Sequence, residues 1–122
     1  MCKVLGVGID LCAIDRMEER VSDERFLARF FTPVERAYIR SRGQVAASSM
    51  AGIFAAKEAF MKAVGLGLSV PMADIGVTHT ALGQPVYALT GRAAEIVGTG
   101  SVMLSITHDG GMAAAVCVWQ SA

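Results

Sequence analysis

Apolar residues crowd one stretch of this chain. Between residues 44 and 64 they fall at Val45, Ala46, Ala47, Met50, Ile53, Phe54, Met61 and Val64. Periodicity that dense on several faces predicts one long helix with little exposed surface. It should end near Gly65 and Gly67, which can take the left-handed terminal conformation. Before it, residues 3–11 read as a buried Val/Leu/Ile strand, in which Gly6 and Gly8 mark close approach by another backbone. A short helix is predicted over 13–21, where Arg16 and Arg20, four apart, project the same way. Another spans 23–30, with Phe26, Leu27 and Phe30 inward and Ser22 as N-cap. Thr32-Pro33-Val34-Glu35 starts a third: Thr32 caps, Pro33 suits the first helical position and Glu35 closes a capping box. That helix should run to about Arg42 and stop at Gly43.

The period changes after residue 70. Residues 75–80 and 86–89 read as strands around the Leu82-Gly83-Gln84-Pro85 turn. Residues 91–97 read as a short helix with Thr90 as cap. Residues 102–108 and 112–119 read as strands joined by the hairpin turn Asp109-Gly110-Gly111. One strand, then helices, then strands with one more helix gives an α+β fold, a mostly antiparallel sheet packed on a long buried helix. At 122 residues the chain is expected to form one domain, 1–122.

Hydrophobic residues make up 53% of the chain, a surplus in so small a protein that points to a subunit interface. The longest uncharged stretch, 75–91, is broken by His79, Gly83 and Pro85, so no membrane span is expected. Asp10 interrupts the opening strand, so no leader is expected either. Lys plus Arg and Asp plus Glu number eleven each, a balance that argues against general nucleic-acid binding. Seven arginines nonetheless fall between Arg16 and Arg42, against five acids, and a subset could meet an acidic partner. Cys2, Cys12 and Cys117 have no metal-type spacing, and their odd number suits a reducing compartment, hence the cytoplasm.

Charge enters the apolar helix at Lys57, Glu58 and Lys62. Glu58 and Lys62 share a face. They read equally as a structural ion pair or as half a metal site beside a phosphate anchor. Asp10, at the end of the first strand, and His108, at the end of a late one, are the other candidates, each with a structural explanation of its own. His79 reads as a half-exposed strand residue without a role. Two carboxylates from separate elements are what a magnesium ion takes, since it keeps several waters and borrows phosphate oxygens. A lysine one turn away would then meet a phosphate oxygen.

Several motifs occur together in order: Gly6-Val7-Gly8-Ile9-Asp10-Leu11, Arg25-Phe26, Phe31-Thr32-Pro33-Val34-Glu35, Phe54-Ala55-Ala56-Lys57-Glu58-Ala59 with Lys62, Gly83-Gln84-Pro85, and Ser105-Ile106-Thr107-His108 followed by Ala113-Ala114-Ala115-Val116. Through them the chain resembles the bacterial holo-[acyl-carrier-protein] synthases, the small 4′-phosphopantetheinyl transferases, from Gly6 to Val118. The resemblance implies the phosphopantetheinyl transferase fold and transfer of the 4′-phosphopantetheine arm from coenzyme A to a serine of an apo acyl carrier protein. The leaving group would be adenosine 3′,5′-bisphosphate. It implies Asp10 and Glu58 as ligands of Mg2+, with Lys62 near the pyrophosphate. Asp10, Glu58 and Lys62 would be the catalytic set, and Lys62, Ser105 and His108 would bind the coenzyme. It further implies a homotrimer with sites at subunit interfaces, and carrier-protein docking through Arg16, Arg20 and Arg25. The proton of the serine would go to a carboxylate such as Glu58 or to a water held by the metal; Glu35 is explained by its capping box. Ile53 and Gln84 stand where the family often has basic residues, which removes positive charge from the expected coenzyme region. A non-catalytic trimeric module binding coenzyme A or a nucleotide, and a metal-dependent nucleotide hydrolase, are the other readings.

Overall fold

A computed structural model describes residues 2–65 and 70–122. The long helix, α4 (Ala46–Val64), is the centre of the molecule, and thirteen of its nineteen residues are buried. It begins two residues later than its apolar pattern, because a 3₁₀ turn at Gly43–Val45 precedes it. Gly65 ends it with φ of +72°. Gly67 lies outside the described residues.

The strand β1 (Val4–Ala13) pairs antiparallel with β5 (Met112–Gln120), which pairs antiparallel with β4 (Ser101–Asp109), in the order β1-β5-β4. Gly110 and Gly111 turn the β4–β5 hairpin with φ of +56° and +77°, the backbone that a two-residue type I′ turn demands. The strands β2 (Ile75–His79) and β3 (Pro85–Leu89) form a separate antiparallel pair.

One face of the three-stranded sheet lies on α4. β1 presents Gly6, Gly8, Asp10 and Cys12 to it. A Cβ on Gly6 would overlap the Ala63 carbonyl oxygen, and one on Gly8 that of Ala59. The two glycines therefore bring strand and helix to backbone contact, as their positions predict. The other face of β1 is open, which corrects the reading of this strand as buried. Val7, Ile9 and Leu11 are exposed by 59–64%, and Met103 of β4 by 59%.

The connecting helices are shorter than their sequence suggests. α1 is only Ile14–Glu18, so Arg20 lies in the turn that follows and does not share a helix with Arg16. α2 is Glu24–Phe30, and its cap is Asp23, whose carboxylate accepts from Phe26 N at 3.1 Å, not Ser22. Leu27 is buried while Phe26 and Phe30 are half-buried. α3 (Pro33–Ser41) has the predicted capping box of Thr32 and Glu35. α5 (Gly91–Val97) is not capped by the Thr90 side chain; Asp74 Oδ2 takes the Arg92 N–H at 3.0 Å instead.

Candidate functional site

Following Gly6 and Gly8 along β1, the next side chain on the α4 face is Asp10. It is therefore delivered to the flank of α4. There the Lys62 ammonium donates to Asp10 Oδ1 at 3.0 Å and to the Ile9 carbonyl at 3.1 Å. Glu58 lies one helical turn from Lys62 on the same face, yet Lys62 turns to Asp10, and among the described residues Glu58 forms no salt bridge. Partial burial, then the charge of Asp10, push the Glu58 carboxyl above its ordinary value, against the opposing pull of Lys62 and Arg16. Asp10, Glu58 and Lys62, the three residues singled out from sequence, thus share one patch. Burial first, and then the charges of Asp10 and Glu58, push the Cys12 thiol up against the pull of Arg16.

Two carboxylates that repel one another beside an ammonium are suited to a divalent cation and a phosphate. No group of three or more His, Cys, Asp or Glu side chains with metal-binding geometry occurs among the described residues. A two-carboxylate set fits magnesium, which takes few protein oxygens, and fits zinc poorly.

Lys57, adjacent in sequence to Glu58, points the opposite way. It is fully buried and donates to Glu35 Oε1 at 2.8 Å and to the carbonyls of Met72 and Ile75, each at 2.9 Å. Glu35 Oε1 also receives the Thr32 N–H, and Oε2 the Val77 N–H at 2.7 Å. The pair ties α3, α4 and β2 together. Burial pulls the Lys57 pKa down and Glu35 pulls it back up. The capping box predicted only part of Glu35's role; its ion pair had no sequence signal, since the partners are far apart in the chain.

Glu58 also lines an apolar cleft of about 530 Å³ with Phe30, Phe54, Met61 and Met72, and Arg29 stands at its edge. Around it cations rest on aromatic rings: Arg16 lies 5.3 Å from the Phe54 centroid, Arg20 5.4 Å from Phe26, and Arg29 5.1 Å from Phe30. Arg20 also pairs with Asp23 at 3.3 Å. Arg25 joins Arg20, Arg29, Phe26 and Phe30 around a neighbouring hollow. Arg29, Phe30 and Phe54 line these hollows but were not among the residues singled out from sequence. The signal was present, because Arg25/Arg29 and Phe26/Phe30 are both spaced four apart on α2.

His108 lies elsewhere, at a second cleft of about 210 Å³ between α3, α4 and the β2–β3 pair. Its ring sits over Gly52, where a Cβ would meet Nε2 at 3.2 Å, and Nε2 lies 3.0 Å from the Ser48 carbonyl. Ser105 does not join it. It is exposed on the other face of β4, beside Met103 on the open side of the sheet. Ile53 lines the His108 cleft, and Gln84 is exposed in the turn at its rim.

Residues 6–117 match the 4′-phosphopantetheinyl transferase superfamily. The chain is 41% identical to the holo-[acyl-carrier-protein] synthase of Treponema denticola over 119 residues, 94% of this chain and 97% of that one. It is also 41% identical to that of Trichlorobacter lovleyi over 125 residues, 97% and 98% of the two chains. Among solved structures it resembles the Bacillus anthracis holo-(acyl-carrier-protein) synthase in complex with CoA (3′,5′-ADP). That likeness has a TM-score of 0.82 and 33% identity, and it covers 98% of each chain. It also resembles the Helicobacter pylori holo-[acyl-carrier-protein] synthase in complex with coenzyme A, with a TM-score of 0.80, 34% identity, and 92% and 97% covered.

Proposed function

Because the chain belongs to the 4′-phosphopantetheinyl transferase superfamily, and within it to the holo-[acyl-carrier-protein] synthases, we propose that Asp10, Glu58 and Lys62 carry its reaction. The enzyme transfers the 4′-phosphopantetheine arm from coenzyme A to a serine of an apo acyl carrier protein. The serine oxygen forms a bond to the phosphorus that bears the pantetheine. The bond from that phosphorus to the bridging pyrophosphate oxygen breaks, and adenosine 3′,5′-bisphosphate leaves. The barrier is one of charge and position more than of covalent chemistry.

The observation that carries the assignment is the meeting of Asp10, from β1, with Glu58 and Lys62, from α4. Asp10 and Glu58 would hold Mg2+, which when bound supplies positive charge to the pyrophosphate. Lys62, held on Asp10 in this structure, can exchange that contact for one with a phosphate oxygen. By its position beside Asp10 and Lys62, Glu58 is also the carboxylate of this chain placed to take the serine proton. Titrating Mn2+ as a spectroscopic stand-in tests the metal site: the wild-type protein should bind it, Asp10→Ala and Glu58→Gln should not, and equal affinity in all three would refute it.

The carrier protein is assigned to the face of Arg16, Arg20, Arg25 and Arg29. There the cations surround Phe26, Phe30 and Phe54 beside Glu58. Such a surface suits an acidic helix with apolar residues among its carboxylates. The assembly is assigned as a homotrimer, each site completed by a neighbour. The support is the open apolar face of the sheet, which carries Val7, Ile9, Leu11 and Met103. Ser105 lies on that same open face, so in a trimer it would meet a neighbouring chain rather than its own His108. One hydrophobic cluster spanning Cys12 to Cys117 supports a single domain. The cytoplasm is the proposed location, in keeping with three free cysteines, and no helix among the described residues is long and apolar enough to cross a membrane.

A further inference from the structure

Lys57 and Glu35 are the only fully buried charged side chains among the described residues. Stability alone does not explain them, because apolar residues of similar volume often serve a core as well as a buried ion pair does. What an apolar side chain cannot do is hold a carbonyl. All three ammonium hydrogens of Lys57 have an acceptor: Glu35 Oε1 at 2.8 Å, and the carbonyls of Met72 and Ile75 at 2.9 Å each. Those carbonyls bracket the 3₁₀ turn Met72–Asp74. In that turn the Asp74 N–H donates to the Pro71 carbonyl at 3.0 Å, and the Ile75 N–H donates to that of Met72. Asp74 ties the turn to α5, receiving the Thr90 and Arg92 N–H groups at 3.0 Å each.

Residues 70–73, which lead into this turn, form a wall of the cleft that Glu58 lines with Phe30 and Phe54. Lys57 and Glu58 are neighbours on α4, so the residue that grips the wall and the one that carries the site carboxylate share a peptide bond. The wall is therefore set relative to Glu58 itself, by one side chain and two hydrogen bonds. A carrier docked on the arginines beside Phe30 and Phe54 must bring its serine to Glu58 through this cleft.

We propose that Lys57 is a positioning residue for the transfer: by holding the Met72 and Ile75 carbonyls it fixes residues 70–73, and with them the path by which the carrier serine reaches Glu58. The inference rests on the reaction and the carrier face proposed above. It needs the N–H donors of Lys57 and not the ion pair as such.

The donors and the ion pair can be separated. Glu35→Gln breaks the ion pair but keeps the capping box, which accepts glutamine, and keeps the Lys57 bonds to both carbonyls. Lys57→Met combined with Glu35→Gln removes the two charges together, and so regains part of the stability that the single changes cost, yet leaves the carbonyls unheld. Per folded molecule, Glu35→Gln should transfer the arm with the wild-type kcat. The double variant should lose about tenfold to a hundredfold in kcat, the scale of a misplaced reactant. Its KM for carrier protein, set at the arginine face, and its Mn2+ affinity, set at Asp10 and Glu58, should match the wild type. Exchange of the Asp74 and Ile75 amide hydrogens should quicken in the double variant and not in Glu35→Gln. A kcat that follows stability rather than Lys57 would overturn the inference, and so would unchanged amide exchange or a loss of Mn2+ binding alongside kcat. Should the double variant not fold, Pro71→Gly loosens the same wall with the pair intact and should lower kcat in the same way; a wild-type kcat there would overturn the inference. A wild-type protein that transfers nothing would overturn the reaction instead, and amide exchange would then decide whether Lys57 holds the wall.

Discussion

At the scale of single residues, two neighbours on α4 face opposite ways, one toward the proposed site and one into the architecture. Glu58 faces the cleft and Lys57 faces the core. Because its folded pKa is raised, Glu58 binds protons more readily in the folded than in the unfolded chain. Its ionisation therefore costs stability as pH rises through that raised value. From its proposed role, Glu58→Gln should lower the transfer rate about a hundredfold to ten-thousandfold. In magnesium-free buffer at neutral pH it should also unfold at a slightly higher temperature than the wild type. A variant that lost stability along with activity would show Glu58 to be structural. Lys57 and Glu35 predict the reverse. Removing either partner leaves a buried charge alone, so Lys57→Met or Glu35→Gln should each cost about 3–5 kcal/mol. In a denaturant double-mutant cycle the pair changed together should cost less than the sum, by about 1–3 kcal/mol. Strict additivity would argue against the ion pair.

At the scale of elements, the site exists because β1 touches α4 through glycine. Gly8→Ala would drive a methyl group into the Ala59 carbonyl, move the strand and carry Asp10 away from Lys62. We expect a loss of about 1–3 kcal/mol in urea unfolding and a larger proportional loss of activity than of stability. An active Gly8→Ala protein would contradict this geometry. That another backbone comes close to Gly6 and Gly8 was legible in the sequence, though not that it is α4; the capping box at Thr32, the glycine end of α4 and the β4–β5 hairpin were legible because each depends on residues close together in the chain. Much of what was not legible depends on partners brought together by folding, and the rest on competition between neighbouring residues. Asp23 takes the cap expected of Ser22, and Asp74 replaces Thr90, because the competing carboxylates are set by the local turn and by a distant loop. Arg20 falls off the end of α1 because the chain turns after Glu18. Lys62 prefers Asp10 to its own helical neighbour Glu58, which periodicity along one helix cannot foresee.

At the scale of the whole molecule, two surfaces face outward with opposite chemistry. The open sheet face is apolar, and a lysine in its middle should prevent the chains from associating. Ile9→Lys is expected to shift the sedimentation coefficient from that of a trimer to that of a monomer and to abolish transfer with it. A wild-type monomer that is fully active would remove the trimer from the account. The arginine face should behave differently. Arg16→Glu with Arg20→Glu should raise the KM for carrier protein by about tenfold or more at low salt and leave coenzyme binding unchanged. The difference should shrink as salt screens exposed charges. An unchanged KM at low ionic strength would place the carrier elsewhere. Beneath both surfaces stands the claim that Asp10 and Glu58 act together on the donor's pyrophosphate. The most direct measurement is the intact mass of an apo acyl carrier protein after incubation with coenzyme A and the enzyme. The mass should rise by that of the arm with the wild-type protein and magnesium. Over the time in which the wild type just completes conversion, it should scarcely rise when the metal is chelated, nor with Asp10→Ala or Glu58→Gln. Full conversion by either variant, or by the wild type in chelator, would contradict the account.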